Sequence, residues 1–350
     1  MANSDTRFTA LGMSGSGKTC YVLGMYYEMC VGVRGFTVVT QNDTATKLEL
    51  WMDKLDDNTG QNRFPAGTDT TVFDDYGFKL NYRNQPIMSF DWIDYAGGTL
   101  RAREESPVVF SGLEDSIRNS TALYIFIDGA LMCGDDFDTK LRSVKRKCAR
   151  TINPYITEFI QANEGKLPPV VFVITKADLC GSDTNNEEIK KVIEESFSSV
   201  FGAGSIAYIV CVSLGAGISD NDYSGEVEPV NIQTPFFIGI YHEFLNFCLY
   251  LKNQITENEK ASRNLIAAQQ SEIQRQNQRW FFTNYDRINQ CRDRIARANT
   301  DIADNLELLK KYRMLLNSVV MELAKQSNHF MVIQNGHEVD FEPDSSMYEI

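Results

Sequence analysis

The residues RFTALGMSGSGKT, numbers 7–19, decide the fold class expected for this chain. A short apolar run enters a glycine-rich turn with the pattern G-x-x-x-x-G-K-T, which is typical of a phosphate-binding loop between a strand and a helix. Gly15 and Gly17 would let backbone N–H groups turn inward, and a helix starting near Lys18 would point its positive end at the phosphates. Lys18 would bridge β- and γ-phosphate oxygens, and the Thr19 hydroxyl would hold Mg²⁺.

A second motif lies at the end of another apolar run. In FDWIDYAGG, residues 90–98, Asp94 is expected at the carboxyl end of a buried strand, where open α/β sheets bind ligands. Its carboxylate would hold the magnesium, and Gly97 would offer its N–H to the γ-phosphate as a switch element. Asp91 is the competing metal ligand, but on the strand alternation it shares a face with Ile93 and lacks the following glycine.

A third motif, TKAD at residues 175–178, predicts which base is bound. It follows the apolar run PVVFVI, and the pattern [NT]KxD presents an aspartate carboxylate to guanine N1–H and N2–H₂, with the lysine stem along the ring. Adenine has no such pair of donors. A later apolar run leads into CVSLG, residues 211–215, a turn whose N–H groups would meet guanine O6.

Short apolar runs alternate with helical patterns along most of the chain. Strands are predicted near 7–12, 72–83, 87–94, 122–128, 169–175 and 206–212, and helices over 18–31, 112–119, 139–161, 186–200 and 236–251. This alternation predicts an α/β fold with a mostly parallel, doubly wound sheet of about six strands and helices on both faces. Asn84-Gln85-Pro86 predicts an antiparallel hairpin at one sheet edge, and Asn335-Gly336 predicts another near the C-terminus.

The region 253–328 differs from what precedes it, because it contains no glycine or proline and is expected to be helical. Apolar residues recur there at one heptad position, while the second position of a coiled-coil seam is largely polar. The recurring residues are Phe281, Ile288, Ile295, Ile302, Leu309 and Leu316. One possibility is an antiparallel helical hairpin that packs on the nucleotide domain and breaks near Asn299-Thr300-Asp301; the other is a dimeric coiled coil. We therefore expect three parts: a nucleotide domain at 1–252, a helical extension at 253–328, and a hairpin with a tail at 329–350.

Composition limits the classes of function. The chain has 350 residues, and its 34 basic and 47 acidic residues give a net charge of −13, so direct binding of nucleic acid is not expected. Three histidines without an HExxH pair and eight cysteines spread along the chain favour neither a zinc site nor a disulfide framework. We also expect no signal peptide, lipid anchor or membrane span, and therefore a cytoplasmic location.

In order and spacing, the three motifs resemble the Ras-like GTPase domain of the translation-factor-related (TRAFAC) class of P-loop GTPases, over about residues 5–252. The resemblance implies a P-loop NTPase fold, GTP or GDP as ligand, and Mg²⁺. It implies nucleotide contacts from Gly12, Ser14, Gly15, Ser16, Gly17, Lys18, Thr19, Cys20, Gly97, Thr175, Lys176, Asp178, Ser213 and Leu214. It assigns the metal to Thr19, Asp94 and a first-switch threonine, Thr70 or Thr71 with Thr68 left open, and catalysis to Lys18, Thr70 and Gly97.

The chain also departs from this family. Gly98 stands where Ras-like proteins usually have a water-orienting glutamine, so intrinsic hydrolysis is expected to be slow. Its replacement is open among Arg101, Arg103, Glu104, Glu105 and a group from a partner. Ser14 and Leu214 occupy positions where the family usually has smaller residues, and the segment 34–69 is longer than a minimal domain needs.

The expected function is a GTP-binding switch that hydrolyses GTP slowly with Mg²⁺. It would signal its state to a protein effector or regulator through the switch loops and the C-terminal helices, and it is a possible homo-oligomer. The alternative is a GTP-binding scaffold without turnover, favoured by Gly98, and a P-loop kinase or ATPase is a third option, opposed by TKAD.

Overall fold

The computed structural model contains a mixed β-sheet with helices packed against it. The structure describes residues 6–40, 42–57, 63–64, 73–95, 113, 115–133, 136–180, 186–202, 204–218, 225–277 and 285–343. The strands are β1 (Thr6–Gly12), β2 (Phe36–Thr40), β3 (Phe73–Tyr82), β4 (Gln85–Tyr95), β5 (Ala122–Asp128), β6 (Val170–Thr175), β7 (Ile206–Cys211), β8 (Phe330–Gln334) and β9 (His337–Val339). Their order across the sheet is β2-β3-β4-β1-β5-β6-β7-β8-β9.

The α/β class is confirmed, but the predicted mostly parallel sheet of about six strands is wrong. The described residues form nine strands. In the centre of the sheet the neighbouring pairs β4–β1, β1–β5, β5–β6 and β6–β7 are parallel. The remaining pairs, β2–β3, β3–β4, β7–β8 and β8–β9, are antiparallel. The predicted hairpin β3–β4 exists but is not at the edge, because β2 from the long segment after the first helix pairs outside it.

The C-terminal hairpin has the predicted turn, with positive φ at Asn335 and Gly336. The sequence predicts this hairpin locally, but not that β8 pairs with β7 and extends the sheet. Such pairing depends on contacts between segments far apart in the chain, which local patterning does not encode.

The helices are α1 (Lys18–Val31), α2 (Asn42–Asp56), α3 (Phe137–Val144), α4 (Arg150–Ala162), α5 (Asn186–Ser196), α6 (Gln233–Asn277) and α7 (Tyr285–Lys325). A π-helical turn, Lys145–Ala149, joins α3 to α4, so the predicted helix over 139–161 is continuous. Of the predicted helix 112–119, the structure describes residues 113 and 115–119, and all of these except 119 are helical. No helix in the described part of the chain is both long enough and apolar enough to cross a membrane.

Alternate residues of the central strands contact helices on opposite faces of the sheet. On β5, Ile125 belongs to an apolar cluster that also contains Val144 of α3 and Ile189 of α5. The next residue, Phe126, faces the other way and lies 5.2 Å from the ring of Tyr21 in α1. The prediction that helices cover both faces of the sheet is therefore confirmed. Because the faces are covered, the ends of the parallel strands are where polar residues can meet a ligand.

By their contacts, the described residues fall into two units. One lies within Met1–His242 and Glu322–Phe341, and the other within Glu243–Met321 and Glu342–Ile350. In the second unit α6 and α7 run antiparallel, because Phe247 lies near Tyr312, with ring centroids 4.4 Å apart, and Ser262 near Asn299. The predicted helix break at Asn299–Asp301 is wrong: α7 continues through it. A connection between the two helices would lie at 278–284, outside the described residues.

Candidate functional site

The loop after β1 turns its backbone towards the start of α1. Gly15 and Gly17 have φ angles of +78° and +82°, in the left-handed region that favours glycine. The N–H of Ser16 donates to the carbonyl oxygen of Met13 at 3.1 Å, which closes a tight turn. Helix α1 begins at Lys18, immediately after Gly17, so the loop ends at the positive end of a helix. This backbone shape can bind an anion.

The other predicted contacts of this segment have varied surroundings. Ser14 is exposed, and Cys20 is half-buried in the first turn of α1. Ser16 is buried, and its hydroxyl has no hydrogen-bond partner among the described residues. Gly12 ends β1 in a tight space, because a Cβ there would lie 2.9 Å from the carbonyl oxygen of Phe126. Only glycine fits this close approach without displacing backbone.

Lys18 is a buried cation that folds back over the loop. Its Nζ donates to the carbonyl oxygen of Gly12 at 2.9 Å and to that of Met13 at 3.3 Å. Burial lowers the pKa of Lys18 below its ordinary value, and the nearby Asp94 carboxylate opposes that shift. Its position gives the loop a positive charge that a phosphate group would stabilise.

Asp94, at the end of β4, contacts the first turn of α1. Thr19 donates from Oγ1 to Oδ2 of Asp94 at 2.8 Å. The carboxylate is fully buried, and Oδ1 has no hydrogen-bond partner in the part of the chain that the structure describes. Burial raises the pKa of Asp94, whereas Lys18 and the bond from Thr19 lower it. An unpartnered buried carboxylate oxygen next to a hydroxyl suits a hard divalent cation.

Asp91 lies apart from this group. It stands opposite Arg7 in the β1–β4 register and influences the pKa of Asp75, whose value is raised mainly by burial and further by Asp91. The alternation of side chains along β4 therefore separates Asp91 from Asp94, as predicted.

Two residues beside Asp94 did not emerge from the sequence analysis. Asp74 of β3 is directly opposite Asp94 in the antiparallel pair. Lys47 of α2 donates from Nζ to Oδ1 of Asp74 at 2.9 Å and lies over the rings of Trp51 and Tyr76, 4.7 Å and 5.4 Å from their centroids. The only sequence signal was an acidic pair at the start of a predicted strand.

The segment after β6 contacts the loop after β1 through two side chains. Thr175 donates from Oγ1 to the carbonyl oxygen of Ser16 at 2.8 Å. Lys176, with φ of +51°, donates from Nζ to the carbonyl oxygen of Gly15 at 3.2 Å and to Oδ2 of Asp128 at 2.8 Å. The structure therefore brings the first and third predicted motifs together at the carboxyl ends of parallel strands.

Asp178, two residues after Lys176, contacts Ser213 in the turn after β7. Ser213 donates from Oγ to Oδ1 of Asp178 at 2.8 Å, and the N–H of Gly215 donates to the same Oγ at 3.1 Å. With one bond accepted from Ser213, the Asp178 carboxylate still has acceptor sites on both oxygens for a ligand that offers paired N–H donors.

Leu214, the bulky residue of the same turn, packs against α1. Its Cδ2 would lie only 2.4 Å from a Cβ at Gly24. Ile232, just before α6, lies on the same side, at 3.5 Å. Leu214 is larger than the residue that the family usually has at this position. Its side chain fits here because Gly24 has no side chain.

Several predicted residues lie outside the described part of the chain. They are Thr68, Thr70, Thr71, Gly97, Gly98, Arg101, Arg103, Glu104 and Glu105.

The described residues offer oxygen ligands suited to Mg²⁺. They contain no group of three or more His, Cys, Asp or Glu side chains that could hold a metal. Mg²⁺ commonly uses only one or two carboxylates together with phosphates and water. Thr19 and the unpartnered oxygen of Asp94 fit that pattern.

Comparison with known proteins adds no assignment. No model of a known protein family matches the sequence. A comparison with curated proteins likewise finds no match.

Proposed function

We propose that this chain is a P-loop GTPase of Ras-like architecture that binds GTP and GDP with Mg²⁺ and hydrolyses GTP slowly. The observation that carries the proposal is the pair of contacts from Thr175 and Lys176 to Ser16 and Gly15. These contacts support the proposal because they bring the segment that carries Asp178 next to the glycine-rich loop after β1. A nucleotide, which has both phosphates and a base, matches this juxtaposition better than a phosphate or a base alone.

The phosphates would lie in the loop between Gly12 and Thr19. Inward N–H groups and the start of α1 bind anionic oxygens, and Lys18 would exchange its bonds to Gly12 and Met13 for bonds to phosphate. Because the ammonium is buried, its interaction with a phosphate is little screened by solvent. Thr19 and Asp94 would hold Mg²⁺, which when bound neutralises charge on the β- and γ-phosphates.

The guanine would be recognised by Asp178. Its carboxylate accepts two donors that guanine has and adenine lacks, and Ser213 holds it in place. Hydrolysis would proceed by in-line attack of water on the γ-phosphate, with Lys18 stabilising the developing negative charge. Gly98 offers no side chain to orient that water, so the intrinsic rate is expected to be low.

A switch of this kind would pass its nucleotide state to a protein partner in the cytoplasm. The switch loops and the helices α6 and α7 are the elements proposed to meet that effector or regulator, and self-association is a further possibility. Gly98 also favours the alternative function, a GTP-binding scaffold that does not turn over.

Single-turnover hydrolysis with Mg²⁺ and either GTP or ATP tests the proposal. Lys18→Ala and Asp178→Asn serve as variants, and GMP as a ligand without β- and γ-phosphates. The GTPase proposal expects turnover of GTP but not ATP, abolished by Lys18→Ala, while GMP binding is little affected by that change. Stable GTP binding without turnover would favour the scaffold. A preference for ATP, or wild-type affinity for GTP in Asp178→Asn, would contradict the proposed base recognition.

A further inference from the structure

A second carboxylate faces the position proposed for the magnesium ion. Asp74 and Asp94 are directly opposite each other on β3 and β4. In an antiparallel pair such residues point to the same face, with Cβ atoms about 5 Å apart. Two carboxylates in that relationship repel each other unless a cation lies between or beside them.

Lys18 lies near Asp94, and Lys47 is the cation paired with Asp74. The Nζ of Lys47 lies 2.9 Å from Oδ1 of Asp74, and the hydroxyl of Tyr76 donates to Oδ2 at 3.4 Å. Asp74 and Lys47 retain 26% and 39% of their side-chain exposure, so a hydrated ion can reach this pair. Asp94, by contrast, is fully buried and keeps one oxygen without a partner among the described residues.

Lys47 belongs to a segment that a minimal nucleotide domain does not need. It lies on α2, between strands β2 and β3, and its ammonium is positioned by the ring of Trp51 one turn later on the same helix. The long segment after α1 therefore contributes a positive charge directly to the carboxylates at the proposed metal position.

We infer that Asp74 is a second carboxylate of the divalent-cation site and that Lys47 and the cation compete for it. The inference rests on the proposed function, since it assumes a divalent cation at Thr19 and Asp94. Mg²⁺ usually keeps several waters and is bound by one or two carboxylates, so Asp74 fits as the second. When the cation binds, Lys47 loses its ion pair, and α2 loses one contact with the sheet. Helix α2 would thereby report the presence of the metal.

Mn²⁺ binding to the GDP-loaded protein, followed through the electron paramagnetic resonance signal of free Mn²⁺, tests the assignment. Asp74→Asn removes one negative charge close to a divalent ion, and we expect about tenfold weaker Mn²⁺ binding. Lys47→Met removes the competing cation and should tighten Mn²⁺ binding about threefold, whereas Lys47→Arg should stay within about twofold of wild type. GDP affinity measured with EDTA should not fall in any of these variants.

A second readout follows α2 itself. Trp51 emission, isolated by subtracting the Trp51→Phe protein, should change when Mg²⁺ is added to wild type and should not change in Lys47→Met. Thermal unfolding without metal shows whether each variant is folded.

The outcomes separate this inference from the proposed function. If Asp94→Asn impairs Mn²⁺ binding while Asp74→Asn and Lys47→Met only lower thermal stability, the ion pair is structural and the inference is wrong. A metal response of Trp51 that persists in Lys47→Met would overturn the competition. If wild type binds no guanine nucleotide, or Asp94→Asn leaves Mn²⁺ binding unchanged, the proposed function itself fails.

Discussion

The ammonium of Lys176 lies 3.2 Å from the carbonyl oxygen of Gly15, so a single side chain joins the segment after β6 to the loop after β1. The same ammonium is paired with Asp128 at 2.8 Å, which fixes the end of β5 as well. Three strand ends are thereby held in one arrangement, and the separation between the proposed phosphate and base positions depends on it.

We expect Lys176→Met to weaken GDP binding about tenfold, because it removes two charge-assisted hydrogen bonds but keeps most of the stem. Titration calorimetry with GDP measures the change. Lys166→Met, at an exposed lysine before β6, is the matched control and should bind as wild type does. Equal affinities for all three proteins would show that this contact does not organise the site.

Gly24 and Leu214 form a second pair whose interaction can be measured. Alanine in a helix interior is favoured over glycine by about 1 kcal/mol, but a Cβ at Gly24 would lie 2.4 Å from Leu214. We expect Gly24→Ala to destabilise wild type by about 1–3 kcal/mol, because overpacking outweighs helix propensity. In a Leu214→Ala background the same change should become neutral or stabilising. Urea unfolding of the four proteins checks this reversal of sign, and its absence would contradict the contact.

The elements of the sheet centre could be predicted because each strand is a short run of apolar residues bounded by turn signals. The strands β5, β6 and β7 were placed correctly for this reason, and the glycine-rich loop was recognised from its spacing alone. The pairing of β8 with β7 could not be predicted, since it joins residues more than one hundred positions apart.

The position of Asp74 shows why part of the site escaped sequence analysis. The β3–β4 register shifts by one residue at Leu80 and Asn81. Without that irregularity Phe73 would face Asp94, and Asp74 would point to the opposite side of the sheet. Nothing in the turn sequence predicts the shift. Lys47 could not be predicted for a related reason. Its ion pair with Asp74 forms only when α2 packs against β3, and the sequence around Lys47 does not indicate that packing.

We expect the stability of the protein to depend on pH through His242. This residue is buried on α6 beside Tyr208, whose hydroxyl lies 2.9 Å from Nε2, and burial lowers its pKa from 6.5 to about 3. A depressed histidine pKa means that the unfolded chain takes up a proton first as pH falls. Neutral His242 therefore makes its full contribution to the free energy of unfolding above pH 6.5. This contribution is lost progressively as the pH falls from 6.5 to about 3.

At about pH 5 the expected loss is about 2 kcal/mol relative to neutral pH. Urea unfolding at the two pH values measures it, with His242→Gln as the control that lacks this titration. The loss should be smaller by about that amount in the variant. An identical pH dependence in both proteins would show that His242 does not carry it.

We expect the ion pair between Arg34 and Glu322 to stabilise the fold unequally through its two partners: removing one should lower the free energy of unfolding more than removing the other. Nε of Arg34 donates to Oε2 of Glu322 at 2.7 Å, and the two side chains are 40% and 6% exposed. Glu322 also accepts from Gln326, which in turn accepts from Thr234 at the start of α6. The pair therefore connects the segment after α1 with the last turns of α7.

Arg34→Met would leave a buried carboxylate without its cation, whereas Glu322→Gln would leave an arginine that can turn to water. We therefore expect about 2–3 kcal/mol of destabilisation for Arg34→Met and about 1 kcal/mol for Glu322→Gln, measured by urea unfolding. Methionine keeps a long unbranched chain at this position, so the backbone cost of its positive φ is similar in both residues. The double variant should be less destabilised than the sum of the two single changes, because either one removes the ion pair. Additive effects would show that the ion pair contributes little to stability. A larger loss for Glu322→Gln would contradict the argument that the stranded carboxylate is the costlier of the two groups.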